Sequence, residues 1–505
     1  MQRSKKSILN AVAAMLFTLM NGLFSIIVTR LVIVTFGSDF NGLNSTASQL
    51  VNIILLIEGG FTIATNVAMF RPYHDKDYPA INGILSATYR KFKKIGVIFL
   101  GVGAFVATGY TFIVNSNLPS ELIFTTMLMA IVPAAFNLYY AMKYRILLQA
   151  DQKEYVISFI SLLTVSAGHI INIIAIQNGG QMWMIRASTM LMALINSLLI
   201  GFYVKRSYKY IDFKTEPNFD AIKGTNDVLI QKITGVIYDT APIIFISISP
   251  DGGTMLASVY AVYNNVFTLL KGVMQGIIDA PRLGFGEMVA SKEREEVWPT
   301  FKLYQFIVLI ALFVVLVTAA VLIMPFVTVY SQGVSDANYQ QPLIALLMVG
   351  IMLFQMIHIP SGHLINMSGK FKISRQIQTV ATIFLLITMA IGVFINGIYG
   401  ILVSVLLTAI LLAVFEIGYI HLQFFSKKLK SFFRLFLPFV IAAIPLGILE
   451  YSLLPEISGY LELIISAVIL VCINGLIGMG VGMIFNKKST SDVLNRVLNI
   501  LRLKK

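Results

Sequence analysis

Apolar runs of about 20 residues, the length that one helical crossing of a bilayer requires, recur along this chain with short polar connections between them. They cover 8–36, 43–70, 92–115, 120–142, 155–177, 181–204, 229–249, 254–280, 301–324, 342–366, 376–396, 400–424, 435–453 and 460–485. In hydrocarbon the backbone must satisfy its own hydrogen bonds, so runs of this length read as helices. The expected fold class is therefore an all-α polytopic membrane protein with 14 transmembrane helices. Composition agrees: 12% of residues are charged, where soluble chains carry about 25%, and the mean hydropathy is +0.81. Met1 to Lys6 is basic and runs into nearly thirty apolar residues, too long for a cleaved signal peptide and read as the first membrane helix.

The formal charge of +14 could suggest nucleic acid, but the basic residues are spread through short loops beside apolar runs, with no basic domain. Their distribution is one-sided. Segments 1–7, 71–94, 143–153, 205–232, 271–302, 370–375, 427–434 and 487–505, all on the side of the amino terminus, hold 36 of the 38 Lys and Arg residues. The opposite loops, including 325–341 with Asp336, hold none. This places both termini in the cytoplasm and requires an even number of spans. The two remaining cations, Arg30 and Arg186, lie inside the first and sixth spans. They either snorkel to the outer headgroups or line a shared cavity.

An internal repeat is offset by about 217 residues. Leu147-Leu148-Gln149 with Lys153 and Val156 recurs as Leu364-Ile365-Asn366 with Lys370 and Ile373, Asn178-Gly179 as Asn396-Gly397, and Gly201-Phe202 as Gly418-Tyr419. Six helices separate the copies, so the repeat is parallel. The expected organisation is an N-lobe over 1–204, a cytoplasmic linker over 205–228, a C-lobe over 229–425, and two further helices with a basic amphipathic tail over 426–505.

No loop exceeds about two dozen residues, so no soluble catalytic domain fits, and there is no G-x-x-x-x-G-K-[ST] loop. Asp75-Lys76-Asp77 has D-x-D spacing but no domain around it; a solvated loop is the simpler reading. The single Cys472 and five scattered histidines give no metal site. Tyr89-Arg90-Lys91-Phe92-Lys93-Lys94 and the tail 491–505 read as elements facing the anionic inner leaflet.

The informative residues are polar ones inside spans, which are costly in lipid and normally face an interior or a watery cavity. Glu58 with Gly59-Gly60 lies mid-span 2, where the glycines kink the helix or admit a neighbour. Asp239 lies mid-span 7 before Pro242. Lys271 lies in span 8 with Asn264 and Asn265, His169 and Asn172 share a face of span 5, and His358 precedes Pro360 in span 10. Under the repeat, span 2 corresponds to span 8, so Glu58 and Lys271 sit at comparable depth. Either they pair or share a solvated cavity in one conformation, or each is satisfied within its own lobe.

Thr35-Phe36-Gly37 with Asn41-Gly42-Leu43, the Glu58-Gly59-Gly60-Phe61 run, and Pro325-Phe326 with Val329-Tyr330 and Asn338-Tyr339 carry a resemblance. With the two-lobe plan, the chain resembles the MOP flippase superfamily, and within it the Wzx-type polysaccharide flippases. The Glu-Gly-x-Phe run is also similar to one in lipid II flippases. The resemblance implies a flippase of the bacterial inner membrane. Its cargo would be an undecaprenyl-diphosphate-linked oligosaccharide, moved to the outer leaflet by alternating access for capsule, O-antigen or other surface polysaccharide. It implies membrane lipids, glycosyltransferases and a polysaccharide polymerase as partners, no nucleic acid, no enzyme activity and no cofactor. The cationic cavity of such flippases carries over to Arg30, Arg186 and Lys271; the polar residues read inside the spans add Glu58, Asp239 and Asn265 to the expected cavity lining. The carboxylates depart from a purely cationic cavity and leave an H+- or Na+-coupled step open. Three alternatives stand: a lipid II flippase, a MATE-type cation-coupled multidrug exporter, whose cavity is expected to be acidic, and a membrane glycosyl polymerase or ligase, expected to have a large outer loop.

Overall fold

The computed structural model describes residues 2–58, 61–222, 226–250, 252–279, 285, 288–289 and 291–502. Among these there is helix and no strand. In chain order the helices are α1 (Gln2–Phe36), α2 (Ser38–Ile54), α3 (Phe61–Asp75), α4 (Tyr78–Ile113), α5 (Ser120–Phe136), α6 (Met142–Ala150), α7 (Glu154–Gln177), α8 (Met182–Ser207), α9 (Asn226–Ser247) and α10 (Gly253–Asp279). There follow α11 (Arg294–Tyr330), α12 (Pro342–Ile357), α13 (Ile359–Met367), α14 (Phe371–Gly418), α15 (Lys430–Leu453), α16 (Tyr460–Phe485) and α17 (Lys487–Arg502).

Among the described residues, ten helices are long and apolar enough to cross a membrane. One of them, Phe371–Phe424, holds two passes, because Asn396 and Gly397 leave helical geometry in its middle. With α2–α3, α9 and α10, each of the fourteen expected spans falls on helix. Large apolar side chains face outward as lipid contact demands: Phe105, Phe112, Phe394, Leu461 and Leu476 are between 72% and 83% exposed.

Packing divides the chain into two compact units, 1–261 with 334–337, and 262–333 with 338–505. The repeat is visible in element boundaries. α4 and α11 end 217 positions apart, at Ile113 and Tyr330. Both bounds of α6 recur in α13, and Glu154 and Phe371 start α7 and α14. Even the left-handed turn before those helices recurs, at Gln152 (φ 55°) and Gly369 (φ 72°).

Several spans depart from straight α-helix, three of them near the candidate sites. Span 2 is interrupted: α2 tightens into a 3₁₀ turn at Leu55–Glu58 and helix resumes at Phe61. Gly59 and Gly60, read as a kink or close approach, lie outside the described residues. Span 10 is split at His358, where Pro360 withholds an amide donor. Span 4 passes through a π-helical turn, Asn137–Ala141, into α6.

The D-x-D segment is a helix boundary. Asp75 closes α3 and pairs with Arg71, Lys76 takes φ 55°, and Asp77 caps α4 by accepting from the Ala80 amide at 3.0 Å. Tyr89 to Lys94 is no separate surface element but part of the continuous α4. The end of α4 is gripped by the chain after α8: Asn82 and Ser86 donate to the carbonyls of Tyr210 and Phe213, and the Asn218 amide donates to the Gly83 carbonyl.

On the same basic side, Asp151 gathers Lys6 at 2.9 Å, Lys153 at 2.8 Å and the Tyr208 hydroxyl at 2.6 Å. Burial would raise this carboxyl, but the bonds from Lys153, Tyr208 and Lys6 outweigh it and hold it below the usual carboxylate range. A depressed carboxyl stabilises the fold above its unfolded value, about pH 4, and the contribution disappears as pH falls through the lower folded value. Asp151→Asn is therefore expected to lower the thermal midpoint at pH 7 while narrowing the further loss between about pH 4 and pH 2. Scanning fluorimetry in detergent across that range is the check; a parallel acid loss in both proteins would count against it.

Candidate functional site

The interrupted span makes the first site. Where α2 stops, Glu58 turns inward with its side chain only 7% exposed. Its Oε1 receives the ammonium of Lys232 from α9, and its Oε2 accepts from Thr62 Oγ1 at 2.9 Å. Four residues further, Asn66 donates to Gln149 Oε1 at 2.7 Å. Glu58, Thr62 and Asn66 thus follow one helical face and lead down α3 toward the Asp151 cluster. Phe61, at the restart of helix, carries the Lys91 ammonium 3.1 Å from its ring centroid. Discontinuous spans free backbone and side-chain polar groups at membrane depth and are where transporters bind solutes.

The remaining predicted residues fall on both units. Arg186 of α8 reaches α2, donating from Nη2 to Ser48 Oγ at 3.2 Å, while its Nε is buried without a hydrogen-bond partner. Arg30 is half-buried on α1, and Asp239 is exposed on α9. Asn265 and Lys271, both half-buried, lie in α10 and belong to the second unit. The cation on Glu58 is Lys232; Lys271, offered by the sequence either as its counterpart or as satisfied within its own lobe, lies in the second unit. Within span 5, His169 stacks on Phe24 of α1 and Asn172 accepts from Ser188, so this face is used for helix packing.

At the lysine-free end the first unit is closed by a polar knot. Asp39 accepts from Ser116 Oγ at 2.7 Å, from the Asn117 amide at 2.8 Å, and from Thr254 Oγ1. Asp336 accepts from the Ser38 amide at 2.6 Å and its hydroxyl at 2.8 Å. Asn41 donates to Ser258 Oγ at 2.7 Å, a pairing between positions 217 residues apart, the repeat offset. Gly37, at φ 88°, lets α2 start one residue after α1. Gly42 faces the backbone of Thr254 so closely that a Cβ would overlap its carbonyl.

No protein-family model matches the chain, and no curated protein sequence matches it. Solved structures do. The inward closed conformation of the lipid II flippase MurJ superposes with a TM-score of 0.71 at 12% identity, over 94% of this chain and 99% of its own. An inward-facing multidrug resistance MATE family transporter of the MOP superfamily gives 0.63 at 13%, over 86% and 98%. A eukaryotic MATE transporter gives 0.58 at 12%, over 86% and 99%. The fold is the one shared by these flippase and MATE transporter structures.

On this MurJ- and MATE-like fold the second unit carries a pair that had not been expected from the sequence. His358, at the break between α12 and α13, approaches Glu416 of α14 at 2.9 Å, and the Glu416 side chain is 2% exposed. Gly362 makes the room, since a Cβ there would stand 2.5 Å from Glu416 Oε2. Glu416 sits five residues from His421 in a span that otherwise reads as apolar, and a carboxylate inside such a run was the available signal. Lys232 had no such signal, because it ends a basic flank. Among the described residues no cluster of three metal-ligating side chains occurs.

Proposed function

We propose that the chain is a flippase of the bacterial cytoplasmic membrane that moves a polyprenyl-diphosphate-linked oligosaccharide from the inner to the outer leaflet, serving surface polysaccharide synthesis. The observation that carries this reading is the cationic dressing of the interrupted span. Arg186 and Lys232, from two different helices, both end on α2 or its 3₁₀ extension. A cavity for cationic drugs calls for the opposite sign. A diphosphate needs such cations, since its charge cannot cross hydrocarbon unaided, and guanidinium binds phosphate in bidentate geometry. The match to the lipid II flippase takes in 94% of the chain, against 86% for the two MATE transporters, and supports the same reading.

In this mechanism the basic end faces the cytoplasm. The diphosphate approaches α2 while the Asp39–Asp336 knot holds the outer end shut. It draws Lys232 from Glu58 and engages Arg186, whose unpartnered Nε is a donor held in reserve. The freed carboxylate takes up H+ or Na+, which couples headgroup binding to an ion step. The cytoplasmic glycosyltransferases supply the lipid, and a polymerase on the far side consumes it.

The test is headgroup translocation of a defined polyprenyl-diphosphate sugar in proteoliposomes. Arg186→Ala removes one charge-assisted contact of about 1.5–3 kcal/mol, so the rate is expected to fall roughly 10- to 100-fold. An unchanged rate would remove the cationic-cavity reading.

A further inference from the structure

We propose that the N-terminal copy of the repeat carries a second, peripheral binding site for the phosphate group of an inner-leaflet lipid, built from Lys143, Lys93 and Lys205 around a tyrosine cage.

Lys143 is 7% exposed, yet among the described residues no carboxylate pairs with it. The ion pairs of the first unit engage Lys6, Arg71, Lys153 and Lys232 instead. Its ammonium rests on rings: Tyr89 at 3.7 Å, Phe213 at 4.9 Å, Tyr144 at 5.1 Å and Tyr140 at 5.7 Å. Lys93 shares the Tyr89 ring, at 6.0 Å, and Lys205 shares the Tyr140 ring, at 5.7 Å. Three ammonium groups thus converge from α4, α6 and α8 on one aromatic cluster. Such a cluster is electrostatically incomplete: cation–π contacts offset part of the desolvation of one lysine but not the mutual repulsion of three. A doubly charged phosphate or a diphosphate supplies the missing charge.

The backbone is shaped for the cage. The π-helical turn Asn137–Ala141 reorients Tyr139 and Tyr140 immediately before Lys143, and such turns often mark functional positions. Two glycines admit the rings. A Cβ at Gly201 would stand 2.6 Å from the Tyr140 hydroxyl, and one at Gly96 would stand 2.9 Å from Tyr139 Cβ.

The repeat provides a control within the same chain. At the positions 217 residues later, Lys93, Lys143 and Lys205 become Ile310, Pro360 and Leu422, while Tyr89 and Tyr140 become Phe306 and Ile357. The second copy folds with the equivalent elements and none of the charge, so the helix packing does not require it. The cluster lies at the basic end of α4, α6 and α8, where the positive-inside distribution puts the cytoplasmic headgroups. Its location differs from the α2 site, and it would gather the lipid phosphate before that site is reached. Only this last step rests on the flippase reading.

The experiment uses the full-length protein in phosphatidylcholine nanodiscs and native mass spectrometry of bound lipid. Undecaprenyl diphosphate and phosphatidylglycerol are the two probes, with inorganic pyrophosphate as competitor. The triple variant Lys93→Gln/Lys143→Met/Lys205→Gln is expected to bind the lipid roughly 100-fold more weakly, each lysine contributing several-fold. The control Lys427→Gln/Lys428→Gln/Lys430→Gln, three exposed lysines of another basic segment, is expected to bind as the parent does. If Lys143→Met prevents folding, Lys93→Gln/Lys205→Gln, both exposed, reads the same site with a loss of roughly tenfold. Equal binding in all variants, or an equal loss in the control, overturns the proposal. Lysine-dependent binding of phosphatidylglycerol with no binding of undecaprenyl diphosphate keeps the site and withdraws its link to the flippase reading.

Discussion

Replacing Lys232 by Met is expected to abolish transport and to destabilise the protein, and adding Glu58→Gln is expected to restore only the stability. Glu58 is nearly enclosed, with Thr62 as its other partner among the described residues. Without Lys232 its charge is buried and uncompensated, which costs several kcal/mol for a fully buried pair. Lys232 keeps a third of its side chain exposed, so solvent reduces that cost to about 1–3 kcal/mol. Glu58→Gln alone leaves Lys232 half-solvated and is the milder single change. The double variant leaves no orphan charge, so its thermal midpoint should return to within a few degrees of the parent, since 1 kcal/mol shifts a domain of 150–250 residues by about 2–4 °C. Translocation should stay absent, because neither the cation that receives the diphosphate nor the carboxylate that exchanges for it remains. Thermal midpoints and proteoliposome rates on the four proteins of the cycle decide between roles. Recovery of both stability and transport in the double variant would make the pair purely structural.

How much of this could be read beforehand follows from range. The spans were legible because hydropathy over 20 residues is a local property, and the repeat because boundary residues such as Gly201 and Gly418 recur at one offset. Glu58 was legible as an anomaly within an apolar run. Its partner was not. Lys232 closes a segment that also holds Lys205, Arg206, Lys209 and Lys214, and a cation in a basic flank looks like topology rather than chemistry. Lys271 suggested itself instead through pseudo-symmetry, while the cation seen on Glu58 comes from α9. Asp39 and Asp336 were hidden for the opposite reason. Single carboxylates in short loops read as solvated, and only folding shows each one accepting amide and hydroxyl bonds from elements up to 298 positions away. Tyr139 and Tyr140 carried no signal in the sequence, because the π-helical turn that aims them has no composition of its own.

The second large effect is expected from one methyl group. Gly42→Ala places a Cβ against the Thr254 carbonyl, where backbone cannot yield as a side chain would. Nearby, the start of α10 is pinned by Thr254 to the Asn115 carbonyl at 3.0 Å and by Ser258 to Asn41 at 2.7 Å. The starts of α2 and α10 must therefore separate, and the bonds at Asp39 and Asn41 open with them. In the proposed cycle this seal must form and break at every turnover, so a protein that cannot close it is held open on the lysine-free side. With Cys472 replaced by Ala, a single cysteine at Thr46, fully buried one turn beyond Gly42, reports the change. A membrane-impermeant maleimide added outside should leave it unlabelled in the parent. In the Gly42→Ala background it should label at least roughly tenfold faster, the effect of a bias of only 1.4 kcal/mol. Translocation should fall in parallel, because the inward-loading state is depopulated. Labelling that stays at the parental rate in a folded Gly42→Ala protein would mean that the knot at Asp39, Asn41 and Asp336 is a fixed part of the scaffold and that opening occurs elsewhere.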